Sequence, residues 1–186
     1  MDITRRCDYA CRILRAAYNN GDSFVSVSDI AESEAIPYAF ARSIQHDLVK
    51  GGLIKTVRGA RGGLALNCDP AQVTLLEVLE AIQGPVSVSL CVIDPEYCEK
   101  QEGCAYNKLW QGADQLLNGY FGSITLKDLI EQGAEHPVIE SALSAGGKKG
   151  SRGSCTAACG CSVPTLVAKH PATQPGADAE EASECA

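Results

Sequence analysis

The stretch between residues 53 and 66 constrains the fold most, because two short apolar runs flank a tip of arginine and glycine. The apolar runs are residues 53–57 and 64–66, and the tip holds Arg58 and Arg61 among three glycines and one alanine. Apolar runs on either side of a glycine-containing turn predict a two-stranded β-hairpin. This hairpin would present two positive charges at its tip.

Three helices are expected before the hairpin. Apolar residues that recur three and four positions apart predict the first helix over residues 3–18. Ser28 is expected to be the N-cap of the second helix, because its hydroxyl can accept a hydrogen bond from an exposed backbone N–H. Pro37 can open the third helix, since the first helical position needs no N–H. The buried face of the third helix is expected to hold Ala41, Ile44 and Leu48.

Further helices are expected after the hairpin. The pattern predicts a helix over residues 74–83, an irregular segment over 86–104, a long helix over 105–121 and a short helix over 126–130. The long helix carries an apolar stripe formed by Leu109, Trp110, Ala113, Leu116, Leu117 and Tyr120. Alanine, glycine, serine and proline dominate after the short helix, and we expect residues 134–186 to form a disordered tail.

Length and composition indicate one soluble folded domain followed by a tail. The chain has 186 residues, a net charge of −7 and no apolar run near the ~18 residues of a membrane span. No apolar segment follows the charged N-terminus, so we expect no signal peptide and a cytoplasmic location. Residues 1–67 nevertheless hold nine Lys and Arg against seven Asp and Glu, a local balance that is compatible with nucleic acid.

The order of these elements predicts a winged helix-turn-helix, in a mainly α-helical fold with a small β-hairpin wing. The third helix would enter the major groove, where base edges differ, and the hairpin would reach the backbone or the minor groove. The residues expected to contact DNA are Ser28, Tyr38, Ala39, Arg42, Ser43, Arg58 and Arg61. A small helical domain with a solvated basic loop is the simpler alternative.

Ten cysteines are many for a chain outside an oxidising compartment, and three of them lie close together in the sequence. Cys91, Cys98 and Cys104 follow the spacing C-x6-C-x5-C. The segment has no C-x2-C pair and is a poor zinc ribbon, whereas wider spacing suits an iron–sulfur cluster. Thiol redox chemistry is the alternative.

Several motifs together resemble the IscR/NsrR-type family of winged-helix transcription regulators. The resemblance covers about residues 1–133 and rests on motifs that follow one another in the same order. They are Thr4 with residues 8–10, the wing over 57–63, residues 74–78, the three cysteines and residues 124–129.

The resemblance implies a homodimeric DNA-binding regulator, here expected to be a repressor, whose long helix crosses that of its partner. It implies that Cys91, Cys98 and Cys104 hold a 4Fe-4S or 2Fe-2S cluster that senses nitric oxide, redox state or the supply of iron and clusters. Some members use a histidine as the fourth ligand where this chain has Asn107. We therefore expect Asp8 of the partner subunit to be the fourth ligand. The alternatives are Glu99, Glu102, Cys7 and water.

Three parts are expected along the chain: a DNA-binding domain over 1–68, a cluster loop with the dimerisation helix over 69–133, and the tail over 134–186. The tail carries Cys155, Cys159, Cys161 and Cys185. The remaining cysteines are expected to be structural, and they are Cys7, Cys11 and Cys68.

The expected partners are an operator duplex, a second copy of the chain and the iron–sulfur assembly machinery, with no membrane. Two other functions stay open: a cluster-free thiol switch that binds DNA, and an iron–sulfur assembly or carrier protein. No C-x2-C motif lies near a βαβ pattern and no paired general base is evident, so we expect no enzymatic activity.

Overall fold

The computed structural model describes residues 2–59 and 62–146, and its elements are mostly helical. The helices are α1 (Arg5–Asn19), α2 (Val27–Ser33), α3 (Tyr38–Lys50), α4 (Leu75–Gln83), α5 (Leu90–Ile93), α6 (Ala105–Gly122), α7 (Leu126–Gln132) and α8 (Pro137–Gly146). The strands are β1 (Ile54–Val57) and β2 (Gly63–Leu66), and a short 3-10 helix spans Gly133–Glu135. No helix among the described residues combines the length and the apolar character needed to cross a membrane.

The arrangement of helices and hairpin confirms the expected winged helix-turn-helix. The two strands are antiparallel, with Ile54 opposite Leu66 and Val57 opposite Gly63. Helix α1 packs against both α3 and α4, and α2 packs against α3. The side chains predicted for the buried face of α3 are buried, and they join one apolar cluster with residues of α1, α2, β2, α4 and α7. Members of that cluster include Ile13, Leu14, Ile30, Ile44, Leu48, Leu64, Val78 and Leu126.

The second helix begins two residues earlier than the sequence predicted. Ser26, and not Ser28, is the N-cap: its backbone is extended and its Oγ accepts a hydrogen bond from the Asp29 backbone N–H at 3.1 Å. The Ser28 hydroxyl lies 2.8 Å from the Ser26 hydroxyl and is exposed in the first turn. Both serines can cap a helix, and pairing of Val25 with β2 places Ser26 at the point where the extended chain ends.

The expectation of a disordered tail is wrong for residues 137–146, which form α8. His136 is buried, and its Nδ1 accepts a hydrogen bond from the Val138 backbone N–H at 3.2 Å, which satisfies an N–H in the first turn. Pro137 begins α8, where a proline loses no needed hydrogen bond. Pro37 is the N-cap of α3 and not its first residue, so the third helix begins at Tyr38, one residue later than expected. The four tail cysteines lie outside the described residues.

Two capped helix starts lie side by side and join α4 to α7. Thr74 accepts from the backbone N–H of Glu77 while the Glu77 carboxylate accepts from that of Thr74, which is a capping box. Thr125 caps α7 through its Oγ1, which accepts a hydrogen bond from the Asp128 backbone N–H at 3.1 Å. The backbone of Thr74 pairs antiparallel with that of Thr125. This pairing fixes the end of the long helix α6 against the DNA-binding core.

The wing is tied to the start of α2 by two backbone hydrogen bonds. The Val25 N–H donates to the Leu64 carbonyl at 3.0 Å, and the Leu64 N–H donates to the Val25 carbonyl at 2.8 Å. The close approach requires Gly63, because a Cβ at this position would lie 2.3 Å from the Val25 carbonyl oxygen. The wing and the helix-turn-helix therefore form one unit.

Replacing Gly63 by alanine is expected to lower the free energy of unfolding by about 1–3 kcal/mol, because the added methyl group overlaps backbone atoms that cannot rotate away. Urea denaturation followed by circular dichroism measures the change. Gly119→Ala is the matched control, since a Cβ there meets nothing within 4 Å and alanine favours a helix. Equal stability of the two variants would contradict the close contact.

Candidate nucleic-acid interface and cysteine loop

A groove runs between α3 and the wing and has a volume of about 330 Å³. Helix α3 contributes Tyr38, Arg42 and Gln45, whose spacing of four and three residues places them along one face. The remaining lining residues are Ser26, Val27, Ser28, Thr56, Val57, Arg58 and Gly63. The groove thus brings together four of the residues predicted to contact DNA: Ser28, Tyr38, Arg42 and Arg58. Arg61 lies outside the described residues.

Gln45 and Thr56 belong to this groove and were missed by the sequence analysis. Gln45 lies three residues after Arg42, and Thr56 lies two residues before Arg58. Both spacings return a side chain to the same face, of a helix in the first case and of a strand in the second. The spacing of Gln45 from Arg42 and of Thr56 from Arg58 could therefore have identified both residues from the sequence.

The two arginines of the groove differ from three of the arginines of α1, which form ion pairs with carboxylates. Neither Arg42 nor Arg58 forms an ion pair with another described residue. In contrast, three arginines of α1 each pair with a carboxylate: Arg6 with Asp47 at 2.5 Å, Arg12 with Asp8 at 2.8 Å and Arg15 with Glu34 at 2.5 Å. No carboxylate among the described residues neutralises the two positive charges of the groove, so both are available to an anionic partner.

Two further predicted contact residues lie on α3 but not in the groove. Ala39 is exposed beside Tyr38. Ser43 is exposed too, and its hydroxyl accepts from the Arg6 guanidinium, with distances of 3.3 Å from Nη1 and 3.4 Å from Nη2. Ser43 therefore lies on the side of α3 that faces the start of α1.

The cysteine loop, residues 91–104, begins within α5 and ends at the N-cap of α6, so the segment expected to be irregular contains one short helix. Its three thiols are partly buried and unpaired. Cys91 is held by four contacts. Its carbonyl accepts from the side-chain amides of Gln101 at 2.7 Å and Asn107 at 2.8 Å. Its Sγ lies 3.2 Å from the Ser89 hydroxyl and 3.5 Å from Asn107 Nδ2. Asn107, expected to be a poor iron ligand, is buried and positions Cys91.

Polar groups on one face of α6 fasten the segment before the loop. Buried Asp114 accepts from the Val88 backbone N–H at 2.7 Å and from the Ser87 hydroxyl. Gln111 donates to the Asn107 side-chain oxygen at 2.6 Å, which fixes the orientation of the Asn107 amide. Asn107, Gln111 and Asp114 therefore form a polar ladder that holds residues 87–91 against α6.

The described cysteines have different acidities. Hydrogen bonds from Ser89 and then Asn107 lower the pKa of the Cys91 thiol, which is partly buried. Burial, together with the neighbouring Cys7 and Asp8, raises the pKa of Cys11 to about 11. Burial also raises the pKa of Cys68. Because the thiolate is the nucleophile and the metal-binding form, Cys91 is the more reactive of these three.

The four predicted metal ligands do not converge within one chain. Among the described residues, no group of three or more His, Cys, Asp and Glu side chains is arranged to hold a metal ion. Asp8 pairs with Arg12 and borders a cleft between α1 and α7. Cys98 lines an open cavity of about 540 Å³ with Asn107, Glu99 and Glu102 among others.

The chemistry of the cysteine loop nevertheless fits an iron–sulfur cluster. Three unpaired thiols come from one loop, and hydrogen bonds to Cys91 favour its thiolate. A multi-iron cluster binds its thiolates through different iron atoms, so the ligands surround a space and need not touch one another. The alternative ligand Cys7 is fully buried, with its Sγ donating to Gln83 Oε1 at 3.0 Å.

Helix α6 exposes its apolar stripe in the single chain. Leu116 is 77% exposed and Leu109 is 59% exposed, while Trp110 is 38% exposed. The side chains of α6 that are buried within the chain are Asn107 and Asp114, which are polar. On this helix polar side chains are buried and apolar side chains are exposed. Such a pattern is typical of a helix whose apolar face is covered by another surface.

Comparisons with known proteins give one consistent result. The model of the Rrf2 family, described as iron-dependent transcriptional regulators, matches residues 3–132. The transcriptional regulator IscR of Cronobacter sakazakii is 30% identical over 131 residues, which cover 70% of this chain and 80% of that protein.

Solved structures agree in fold. CymR, the global cysteine regulator of B. subtilis, is similar with a TM-score of 0.59 and 25% identity, over 70% of this chain and 96% of CymR. IscR of T. potens is similar with a TM-score of 0.57 and 21% identity, over 73% of this chain and 90% of that one.

Cys91 is expected to react with iodoacetamide at lower pH than Cys68 and Cys11 in reduced, metal-free protein. Its lowered pKa supplies thiolate near neutral pH, whereas Cys11 stays protonated until the pH approaches 11. Peptide mass spectrometry measures the alkylation rate of each cysteine against pH. The pH at the midpoint of each curve reports the pKa of that cysteine, whereas the accessibility of the cysteine changes only its maximal alkylation rate.

The variant Asn107→Leu should move the Cys91 midpoint upward, because it removes the hydrogen bond to the Cys91 sulfur together with the one to the Cys91 carbonyl, and it should leave the Cys11 midpoint in place. A Cys91 midpoint at or above that of Cys68 in the wild-type protein would contradict the assignment.

Proposed function

The chain belongs to the Rrf2 family of transcriptional regulators, and on that premise we propose that it is a repressor whose operator affinity follows the state of the cysteine loop. The proposal rests on the observation that two features occur in the same chain. One is a groove with two arginines not paired within the described residues, and the other is a loop with three unpaired thiols. The family comprises regulators of transcription, and no enzymatic reaction is assigned to this chain.

Operator binding would use α3 in the major groove and the wing on the adjacent backbone or minor groove. Arg42 is placed to donate two hydrogen bonds to guanine, and Tyr38 and Ser28 offer hydroxyls to phosphates or bases. Arg58 lies near the wing tip, where an arginine can enter a narrow minor groove. Ala39, Ser43 and Arg61 complete the proposed set of contacts.

Sensing would use an iron–sulfur cluster, 4Fe-4S or 2Fe-2S, held by Cys91, Cys98 and Cys104, with Asp8 of the partner subunit as the fourth ligand. The family is described as iron-dependent, and the donor types of the loop suit iron. Such a cluster responds to nitric oxide, to oxidants and to the supply of iron. In this chain the polar ladder on α6 would hold Cys91 ready for the cluster.

A homodimer would cover the exposed stripe of α6. Leu109 and Leu116 each leave more than half of their surface in solvent in the single chain. Burying apolar surface against the same helix of a second copy gives a self-complementary interface. Such a dimer would also place the first helix of one subunit within reach of the cysteine loop of the other.

A thiol switch without a cluster is the second candidate. The hydrogen bonds around Cys91 favour its thiolate with or without metal. The similarity to CymR, a global cysteine regulator, also fits a function built on cysteine chemistry. An iron–sulfur carrier is less well supported, because it gives no role to the arginines of the groove.

Arg42→Ala and Arg58→Ala are each expected to weaken DNA binding, by about 1–3 kcal/mol for Arg42 if it reads guanine. Each should also reduce the salt dependence of binding by about one phosphate contact. A duplex selected by the wild-type protein from a random library serves as the probe in fluorescence anisotropy. Lys127→Ala on α7 loses the same charge away from the groove and should bind as the wild type does. Unchanged affinity of both arginine variants would reject the groove as the DNA-binding surface.

Protein purified without oxygen is expected to hold iron and acid-labile sulfide in matching amounts, with broad visible absorption. The combined variant Cys91→Ala, Cys98→Ala, Cys104→Ala should lose both, while Cys68→Ala should keep them. Cluster loading should change DNA affinity by about 5- to 150-fold. Colourless, iron-free protein after anaerobic reconstitution would reject the cluster. In that case the thiol switch predicts that oxidising Cys91 changes DNA affinity.

A further inference from the structure

One guanidinium links the start of α1 to two residues on the DNA-binding helix. Arg6 Nη2 lies 2.5 Å from Asp47 Oδ2, and both terminal nitrogens of Arg6 donate to the Ser43 hydroxyl. Ser43 and Asp47 are four residues apart and lie on the same face of α3. A single side chain of α1 therefore spans one turn of the helix that is expected to enter the major groove.

We propose that Arg6 is a positioning residue of the DNA-binding surface, which holds α3 in its binding orientation and transmits movement of α1 to it. The transmission rests on the proposed function, because the signal is taken to arise at the cysteine loop. The effect of Arg6 on affinity rests only on DNA binding by α3.

The charge of Asp47 explains why α3 needs this partner. Asp47 is the one acidic residue in the sequence of α3, and its side chain is 31% exposed. An exposed carboxylate on this helix would repel the phosphates of DNA. Pairing with Arg6 cancels that charge, and the bond to Ser43 fixes the guanidinium in place.

The first turn of α1 also contacts the segment that leads to the cysteine loop. The Thr4 backbone N–H and the Cys7 thiol both donate to Gln83 Oε1, at 3.3 Å and 3.0 Å. Gln83 ends α4, and the chain then runs directly through residues 84–90 to Cys91. Arg6 lies between the two donors in the sequence. One helical turn therefore contacts α3 on one side and the approach to the sensor on the other.

Asp8, proposed to bind the cluster of the other subunit, follows Arg6 by two residues. A change in the bonds of Asp8 would act on the same turn of α1. Both routes from the cysteine loop, within the chain and across a dimer, thus include the turn of α1 that carries Arg6, alongside the direct packing of α4 against α3.

The test compares Arg6→Ala, Asp47→Asn, their combination and the control Arg15→Ala. Arg15 pairs with Glu34 at 2.5 Å and joins α1 to the end of α2, so its variant also loses an ion pair of α1. Binding to the selected duplex is measured with the full chain, once loaded and reduced and once with its cysteines oxidised. Thermal denaturation checks that each variant is folded.

Arg6→Ala is expected to weaken binding about two- to fivefold, the range of an exposed ion pair, and to reduce the affinity ratio between the two states. Asp47→Asn in the Arg6→Ala background should restore the affinity, because it removes the repulsion, but not the ratio. Arg15→Ala should change neither quantity. Arg6→Lys should retain most of the affinity, since it keeps the charge, and lose part of the ratio, since it cannot bond both residues at once.

Wild-type affinity and ratio in Arg6→Ala would overturn the proposal, and so would equal losses in Arg6→Ala and Arg15→Ala. A wild-type protein with the same affinity in both states would instead reject the proposed sensing function and with it the transmission. The effect of Arg6 on affinity would then still be decided by comparing Arg6→Ala with Arg15→Ala in a single state.

Discussion

The packing of α1 against α3 is the contact on which the other features of the molecule depend. Ile13 and Leu14 of α1 are fully buried beside Ile44 and Leu48 of α3 in one apolar cluster. Each such side chain contributes about 1.5–3 kcal/mol through the surface that it removes from water. The same helix carries Asp8 and packs against α4. Because the interior is close-packed, α1 cannot shift without moving the helix that is expected to contact DNA.

The polar face of α6 shows how a departure from a family pattern can serve the same site. At the position where the family resemblance implies a histidine ligand in some members, this chain has Asn107, whose amide holds the backbone and the sulfur of Cys91. An amide is a weak ligand of iron, but it can donate hydrogen bonds to a thiolate and its carbonyl together. In the proposed cluster site, Asn107 would therefore hold a ligand instead of binding the metal itself. Buried Asp114 adds to this by fixing the segment before Cys91.

The sequence was most informative where a structure depends on near neighbours. Helical periodicity located the buried face of α3, and it predicted a helix over residues 74–83, which the structure places at Leu75–Gln83. The sequence did not show whether Ser26 or Ser28 is the N-cap of α2. The choice depends on the pairing of Val25 with Leu64 of β2, which is 39 residues away in the chain. The Arg6–Asp47 and Cys7–Gln83 contacts join residues 41 and 76 positions apart and left no periodic signal in the sequence. The hydrogen bonds that hold the Cys91 carbonyl could not be predicted either, because their donors, Gln101 and Asn107, lie 10 and 16 residues away.

The distribution of ion pairs explains how an acidic protein can present a surface for DNA. The net charge of −7 would oppose binding if charge acted only as a sum. The carboxylates of Asp8, Glu34 and Asp47 each form an ion pair with an arginine of α1, so that these charges cancel locally. Arg42 and Arg58 have no such partner among the described residues and face the groove together. Potentials near a surface are set by the charges within about a Debye length, ~8 Å at physiological salt. The charges around the groove, and not the net charge of the chain, therefore decide how this surface meets DNA.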